Sequence, residues 1–114
     1  MSDEVFKLMN LLTDAYAIKI LAASYNREKS AIELSQELNV PIAACYRRLK
    51  WLETMNLVRS YVKKSDKGKK IRYYLSRIRL ASIRIEGNSV LVELTDRDGK
   101  VMRFSGIVGT GYGQ

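Results

Sequence analysis

The sequence predicts an α+β fold in which four short helices are followed by antiparallel β-strands. Up to about residue 55, apolar residues recur three and four positions apart, as they do on one face of a helix. From residue 57 onward, apolar and polar residues alternate, and turns containing glycine separate the runs, which is typical of β-hairpins. With 114 residues, 46% of them hydrophobic, the chain is long enough for one modest core and a small appendage.

The first two helices are predicted over residues 3–12 and from about residue 14. The first carries a broad apolar stripe: Val5, Phe6, Leu8, Met9, Leu11 and Leu12. Because this arc is wider than one small partner helix needs, we expect it partly to cover the core and partly to form a dimer surface. Thr13 or Asp14 is expected to cap the second helix. Its predicted inner face consists of Ala15, Ile18, Leu21 and Ala22.

A short polar turn at residues 26–29 precedes the third and fourth helices. Ser30, with Glu33 three residues later, forms the capping-box pattern that opens a helix. Asn39 tolerates the left-handed conformation that ends a helix, and Pro41 suits the start of the next one, which we expect to reach about residue 55. The expected buried residues are Ala31, Leu34 and Leu38 in the third helix and Cys45, Leu49 and Leu52 in the fourth.

Five strands are predicted after the helices. Residues 57–62 and 71–75 form a hairpin about the turn at 65–68, and residues 78–86, 90–95 and 101–107 form a small antiparallel sheet or meander. The expected half-buried positions in that sheet are Ile83, Ile85, Val90, Val92, Leu94, Met102 and Phe104. We therefore divide the chain into residues 1–77 and residues 78–114, the second part ending in a loose tail at 109–114.

The positive charge is concentrated in the middle third of the chain. The chain has a formal net charge of +8 and a pI near 9.7. Residues 46–84 carry 13 Lys and Arg against Glu53 and Asp66, whereas residues 1–45 have a net charge of −2 and residues 85–114 one of −1. Such a patch indicates a polyanionic partner, above all a phosphate backbone.

The fourth helix has the composition of a DNA-reading helix. An α-helix fits the major groove, where each base pair exposes a distinguishable pattern of donors and acceptors. Arg47 is the strongest candidate for base reading, because its planar fork suits guanine bidentately. The candidate contact residues of this helix are Ala43, Ala44, Tyr46, Arg47 and Lys50.

The first hairpin ends in a cluster of lysines. A flexible cationic tip suits phosphate contact or insertion into the minor groove, and it contributes affinity rather than sequence preference. The alternative is that the lysines protect a soluble hairpin edge against aggregation. The candidate contact residues of the hairpin are Lys63, Lys64, Lys67, Gly68, Lys69, Lys70 and Arg72.

The composition argues against catalysis, metal binding and membrane insertion. The chain has no histidine and one cysteine, so an internal disulfide and the usual acid–base or triad arrangements cannot be formed. No apolar run has the length of a membrane span, and the acidic start is unlike a secretory signal. We therefore expect a cytoplasmic protein that is not an enzyme and has no catalytic residue, cofactor or metal.

The runs at residues 30–41, 46–53 and 56–58 together resemble the winged helix-turn-helix of ArsR- and MarR-like transcriptional regulators of archaea and bacteria, the archaeal type above all. The resemblance covers about residues 14–77. It implies a homodimer on a pseudo-palindromic operator, with the helix that begins at Pro41 in the major groove. The sequence departs from the family in offering strands where a dimerising helix often follows, so the first helix, the C-terminal strands or both must dimerise. The resemblance implies that metal-sensing members bind their metal through cysteine and histidine. Here Cys45 is the single cysteine, histidine is absent, and Cys45 is expected on the inner face of the fourth helix, which argues against metal sensing.

The sequence thus predicts a sequence-specific regulator that binds double-stranded DNA as a homodimer, with no effector identified. Two alternatives stay open: a winged-helix protein-interaction module of a transcription or assembly complex, and an RNA-binding protein.

Overall fold

The computed structural model describes residues 3–108 and confirms the α+β fold. The tail at residues 109–114 lies outside the described residues. The helices are α1 (Asp3–Leu12), α2 (Ala15–Ala23), α3 (Ala31–Leu38) and α4 (Ile42–Thr54). The strands are β1 (Lys29–Ser30), β2 (Val58–Lys64), β3 (Lys70–Ser76), β4 (Ile78–Glu86), β5 (Ser89–Asp96) and β6 (Val101–Ile107). Within residues 3–108, no helix is both long and apolar enough to span a lipid bilayer.

The strands form two antiparallel sheets, in the orders β1-β3-β2 and β4-β5-β6. In the first sheet, β2 and β3 pair from Val58 opposite Ser76 to Lys64 opposite Lys70, and they form the predicted hairpin. Strand β1 was not predicted, since two residues are too few to show a period, and it pairs with β3 on the other side. Helices α2, α3 and α4 with this three-stranded sheet make the winged helix-turn-helix arrangement.

Helix α1 joins the helices to the second sheet. Val5, Leu8 and Leu11 are at most 1% exposed, and α1 packs against α2, β5 and β6. Val92 and Leu94 of β5 belong to the same buried cluster as the helical residues. The broad apolar stripe of α1 therefore serves the core on two sides, and its most buried residues are not available to a second chain. The boundary after residue 77 separates the two sheets, and the division of the chain into residues 1–77 and 78–114 stays a prediction.

The predicted inner face of α2 is wrong. Ala17 and Ile20 are fully buried, whereas Ile18 is 46% exposed. Ala15 and Ala22 are also exposed, and Leu21 is half-buried. Helix α2 is apolar on nearly every side and has Lys19 as its single charged residue. The spacing of its apolar residues therefore does not show which side of the helix is buried.

The prediction that β4 is half-buried is also wrong. Ile83 and Ile85 are 36% and 75% exposed, while Val90, Val92 and Leu94 of β5 are buried as expected. Met102 and Phe104 of β6 are half-buried, again as expected. The second sheet is covered on one side by α1, which lies over β5 and β6. Alternation alone cannot show that a strand lies beyond the reach of the covering helix.

Arg97, in the turn between β5 and β6, attaches the second sheet to the rest of the fold. Its Nη1 donates hydrogen bonds to the carbonyl oxygens of Tyr25, at 2.9 Å, and Ser76, at 3.1 Å. The guanidinium also lies 4.2 Å from the centre of the Tyr25 ring, within the range of a cation–π contact. These contacts connect the β5–β6 turn to the end of α2 and to the end of β3.

Candidate nucleic-acid interface

The turn between α3 and α4 is held by side-chain hydrogen bonds on both sides. The predicted capping box is present: the backbone N–H of Glu33 donates to Ser30 Oγ, and the N–H of Ser30 donates to Glu33 Oε1 at 2.9 Å. Asn39 has the predicted left-handed conformation, with φ 55°. Ser35 Oγ donates to the carbonyl of Val40 at 2.6 Å. These bonds set the direction in which α4 leaves the turn.

Helix α4 has one buried and one exposed face, as predicted. Cys45, Leu49 and Leu52 are fully buried. The Cys45 thiol donates to the carbonyl of Ala31 at 3.6 Å, and burial raises its pKa, so it is a protonated core group. The exposed face carries Ala43, Tyr46, Arg47 and Lys50. It also carries Ile42, which is 42% exposed and was not among the predicted contact residues.

Ala44 does not belong to the exposed face, and its predicted approach to base edges is wrong. It is 7% exposed. It lies one turn before Arg48, on the side of α4 that faces α2. Because α4 packs against both α2 and α3, its buried arc is wider than the stripe of Cys45, Leu49 and Leu52 predicts.

Arg48 holds α4 against α2, unlike its exposed neighbour Arg47. Its Nε donates to Asp14 Oδ2 and its Nη2 to Asp14 Oδ1, both at 3.0 Å. The guanidinium lies 5.3 Å from the centre of the Tyr16 ring. Asp14 also caps α2 by accepting the N–H of Ala17 at 2.9 Å. The local sequence does not distinguish the two arginines, since the partner of Arg48 is 34 residues away.

We expect the Arg48–Asp14 pair to contribute to the free energy of unfolding in a way that depends on pH. The hydrogen bonds from Arg48 lower the pKa of Asp14 below its ordinary value of 3.8. The stabilisation is therefore fully present above the ordinary pKa of 3.8, as at neutral pH, and is lost as the pH falls below 3.8 through the lowered pKa of Asp14. We expect Asp14→Asn, which still caps a helix, to lower the free energy of unfolding by about 1–2 kcal/mol at neutral pH. Urea unfolding at a series of pH values measures this, and the difference should shrink in acid.

The matched control is Glu93→Gln. Glu93 accepts from Arg103 on the outer side of the second sheet, where the arginine side chain is 65% exposed. Solvent screens such a pair, so its loss is expected to change the free energy of unfolding by about 0–0.5 kcal/mol. Equal losses in the two variants would contradict a special role for Asp14.

We call the hairpin of strands β2 and β3, with the turn that connects them, the wing. Its tip is a tight and highly cationic turn. The N–H of Gly68 donates to the carbonyl of Ser65 at 2.9 Å, and the N–H of Ser65 to the carbonyl of Lys69 at 2.7 Å. Gly68 has φ +80°, a conformation that glycine adopts without strain. The exposed residues of the wing include Lys63, Lys64, Lys67, Gly68, Lys69, Lys70 and Arg72.

The strand register divides the cations of the wing between two faces. Lys64 pairs with Lys70, and Arg72 lies two residues from Lys70, so these three share the face of Tyr74. Lys63 lies on the opposite face, where it forms an ion pair with Glu28. Glu28 raises the pKa of Lys63 through this hydrogen-bonded contact. The sequence predicts seven wing residues as equal contact candidates, whereas Lys63 is partly neutralised within the chain by Glu28.

A groove of about 540 Å³ lies between the helices and the wing. It is lined by the start of α3, by Tyr46 of α4, and by Lys70 and Arg72 of β3. Arg72 donates to Ser60 Oγ at 2.9 Å, and Ser60 Oγ donates to Glu53 Oε2 at 2.5 Å, which links Arg72 through β2 to α4. The fold thus brings Tyr46 of α4 and two cations of the wing to one groove.

The sequence predicts that the chain binds no metal, and acidic and thiol side chains are the ligands in question. Among residues 3–108, no three Asp, Glu, Cys or His side chains are close enough to hold a metal ion together.

Comparison with known proteins shows the fold. No family model and no curated protein matches the sequence. Reduced HlyU from Vibrio cholerae N16961 superposes with a TM-score of 0.53 and 24% identity, over 66% of this chain and 74% of that chain. NolR from Sinorhizobium fredii superposes with a TM-score of 0.54 and 18% identity, over 65% of this chain and 69% of that chain. Both likenesses concern the fold, and they confirm the winged-helix part of the predicted fold.

Proposed function

We propose that this chain is a transcriptional regulator of the ArsR- and MarR-like type that binds double-stranded DNA sequence-specifically as a homodimer, and that it is a cytoplasmic protein without enzymatic activity. The observation that carries the proposal is the groove between α4 and the wing. Tyr46 of α4 and Lys70 and Arg72 of the wing line it, and all three belong to residues 46–84, which have a net charge of +11.

Helix α4 supplies the base contacts in this proposal. Ala43 leaves the start of the helix narrow, and Tyr46, which is 51% exposed, offers a hydroxyl and an apolar ring edge. Arg47 and Lys50 lie three residues apart on the exposed face, so both can enter one major groove. Arg47 is the proposed guanine reader, because Asp14 engages the guanidinium of Arg48 and not that of Arg47.

The wing supplies affinity for the DNA backbone. Lys64, Lys70 and Arg72 face the groove side and suit phosphates next to the site that α4 reads. Lys67 and Lys69 flank Gly68 at the tip, which suits the backbone or the minor groove. Lys63 contributes less, because Glu28 already pairs with it.

Duplex DNA fits these features better than the two alternative partners. A protein-interaction module has no need of 13 cations within 39 residues. Duplex RNA has a deep, narrow major groove that side chains cannot read, whereas the major groove of B-DNA admits a helix such as α4.

The test is a fluorescence-anisotropy titration of random-sequence DNA duplex at a series of salt concentrations. We expect binding whose logarithmic affinity falls linearly with the logarithm of the salt concentration, by about 0.9 for each phosphate contacted. An RNA duplex of the same sequence serves as competitor and should displace the labelled DNA poorly. Absence of binding at low salt would sink the proposal, and better competition by RNA would replace DNA with RNA as the partner.

A further inference from the structure

Strand β4 presents an uncovered apolar row beside an unpaired edge. Ala81, Ile83 and Ile85 lie opposite Leu94, Val92 and Val90 of β5, so they share the face of the sheet that α1 covers farther along. On β5 this face is buried, but on β4 Ile83 and Ile85 are 36% and 75% exposed. Within residues 3–108, β4 pairs with β5 and with no other strand. Its outer N–H and C=O groups therefore form a free edge.

Helix α2 extends the apolar surface. A groove of about 490 Å³ runs between α2 and β4, and Arg79 is the single charged residue among those that line it. Ile18 and Leu21 line it from α2, and Leu80 and Ile83 line it from β4. Ile18 is 46% and Leu80 58% exposed. None of the residues that line this groove lines the groove between α4 and the wing.

We propose that this α2–β4 face binds a second copy of the chain, with the β4 strands of the two copies paired antiparallel across a two-fold axis. An axis perpendicular to the sheet keeps each residue on its own face, so the row of Ala81, Ile83 and Ile85 meets the same row of the second copy. The result is a six-stranded sheet in which the free edges of both β4 strands are satisfied. The exposed apolar residues of both α2 helices then lie on the same side of that sheet.

The second copy is a better occupant than an unrelated partner because the surface is self-complementary. Free β-edges in stable proteins are normally blocked by charges, bulges or a covering element. Edge strand β2 of the first sheet carries Arg59, Lys63 and Lys64, and the apolar face of edge strand β6 is covered by α1. Strand β4 also carries charges, but Arg84 and Glu86 alternate with Ile83 and Ile85 and lie on the opposite face of the sheet. The apolar face of β4 is open over Ile83 and Ile85, and the irregularity of the strand is confined to its start, between Ile78 and Leu80.

This inference deepens the proposed function, since it names the interface of the homodimer that the proposed regulator needs. It places the interface away from α4 and the wing. It also explains why an isoleucine at 75% exposure stands at the end of an apolar row, where a monomer would gain from a polar residue.

The experiment is sedimentation equilibrium of the full chain over a wide concentration range, without nucleic acid. We expect the wild-type chain to sediment at twice its mass of 13.0 kDa. Ile85→Lys is expected to raise the dimer dissociation constant by about 100-fold or more, because the two-fold axis buries the introduced charge twice. Ile18→Lys, on α2, should weaken the dimer in the same direction. Both positions are exposed in the protomer, so circular dichroism should show an unchanged fold.

Ile107→Lys is the matched control. Ile107 lies on β6, at the opposite edge of the same sheet, and is 55% exposed. It should leave the dimer intact. A monomeric wild-type chain, a dimer that tolerates Ile85→Lys and Ile18→Lys, or equal weakening by Ile107→Lys would each overturn the proposed interface. Because no DNA is present, these outcomes are independent of the random-duplex titration, which decides whether the chain binds DNA.

Discussion

Replacing Lys67, Lys69 and Lys70 together with alanine is expected to weaken binding to every DNA duplex by a similar factor. All three are exposed, and they lie on or beside the tip of the wing. If each contacts a phosphate, the slope of logarithmic affinity against logarithmic salt concentration becomes shallower by about 2.7. The loss is therefore largest at low salt and shrinks as salt is added. Anisotropy titrations over a salt series with two unrelated duplexes measure both effects.

The control for this experiment removes the same charge elsewhere. Lys7, Lys19 and Lys100 are exposed and lie outside the basic segment 46–84. Their joint replacement by alanine also removes three positive charges but should leave the salt slope nearly unchanged. If both triple variants lose the same affinity, the binding reflects net charge and not a wing contact. If the wing variant changes the preferred DNA sequence, our division between affinity and specificity is wrong.

Replacing Arg47 with alanine is expected to act on sequence preference. Loss of a bidentate contact to guanine costs about 1–3 kcal/mol of binding to the preferred site and relaxes discrimination at one base pair. Affinity for random duplex should fall much less, because the phosphate contacts of the wing are intact. The measurement is selection of a preferred site from a random library, followed by titration of single-base-pair variants of that site.

Arg47→Lys is the informative companion variant. It keeps the charge and removes the planar fork, so it should lose discrimination while keeping the salt dependence. Arg48→Ala is unsuitable as a binding control, because Arg48 holds Asp14 with two hydrogen bonds and its loss changes stability. If Arg47→Ala weakens preferred and random duplexes equally, Arg47 contacts a phosphate and the base reader lies elsewhere on α4.

Local sequence patterns predicted most elements of the fold. The capping box at Ser30 and Glu33, the left-handed Asn39 and the glycine at the wing turn each depend on residues only a few positions apart. Such features are decided by backbone chemistry within one turn, so they can be predicted from the sequence. The predicted strands after residue 57 are present as well, with bounds that differ by at most two residues.

The errors occur where distant elements decide which side of a helix or strand is covered. Ala44 is buried because α4 packs against α2 as well as α3, and α2 presents Ala17 and Ile20 where Ala15 and Ile18 were predicted. Arg48 and Lys63 are engaged by Asp14 and Glu28, each more than 30 residues away. No periodicity within one element carries this information.

The sequence by itself determined the order of elements, the buried stripe of α4 and the concentration of positive charge in residues 46–84, because each depends on residue type and near spacing. Only the tertiary structure decided which cations face the groove with Tyr46, which are held by carboxylates, and that β4 extends past the cover of α1. Those outcomes depend on how helices and sheets pack, and packing brings together residues that are remote along the chain.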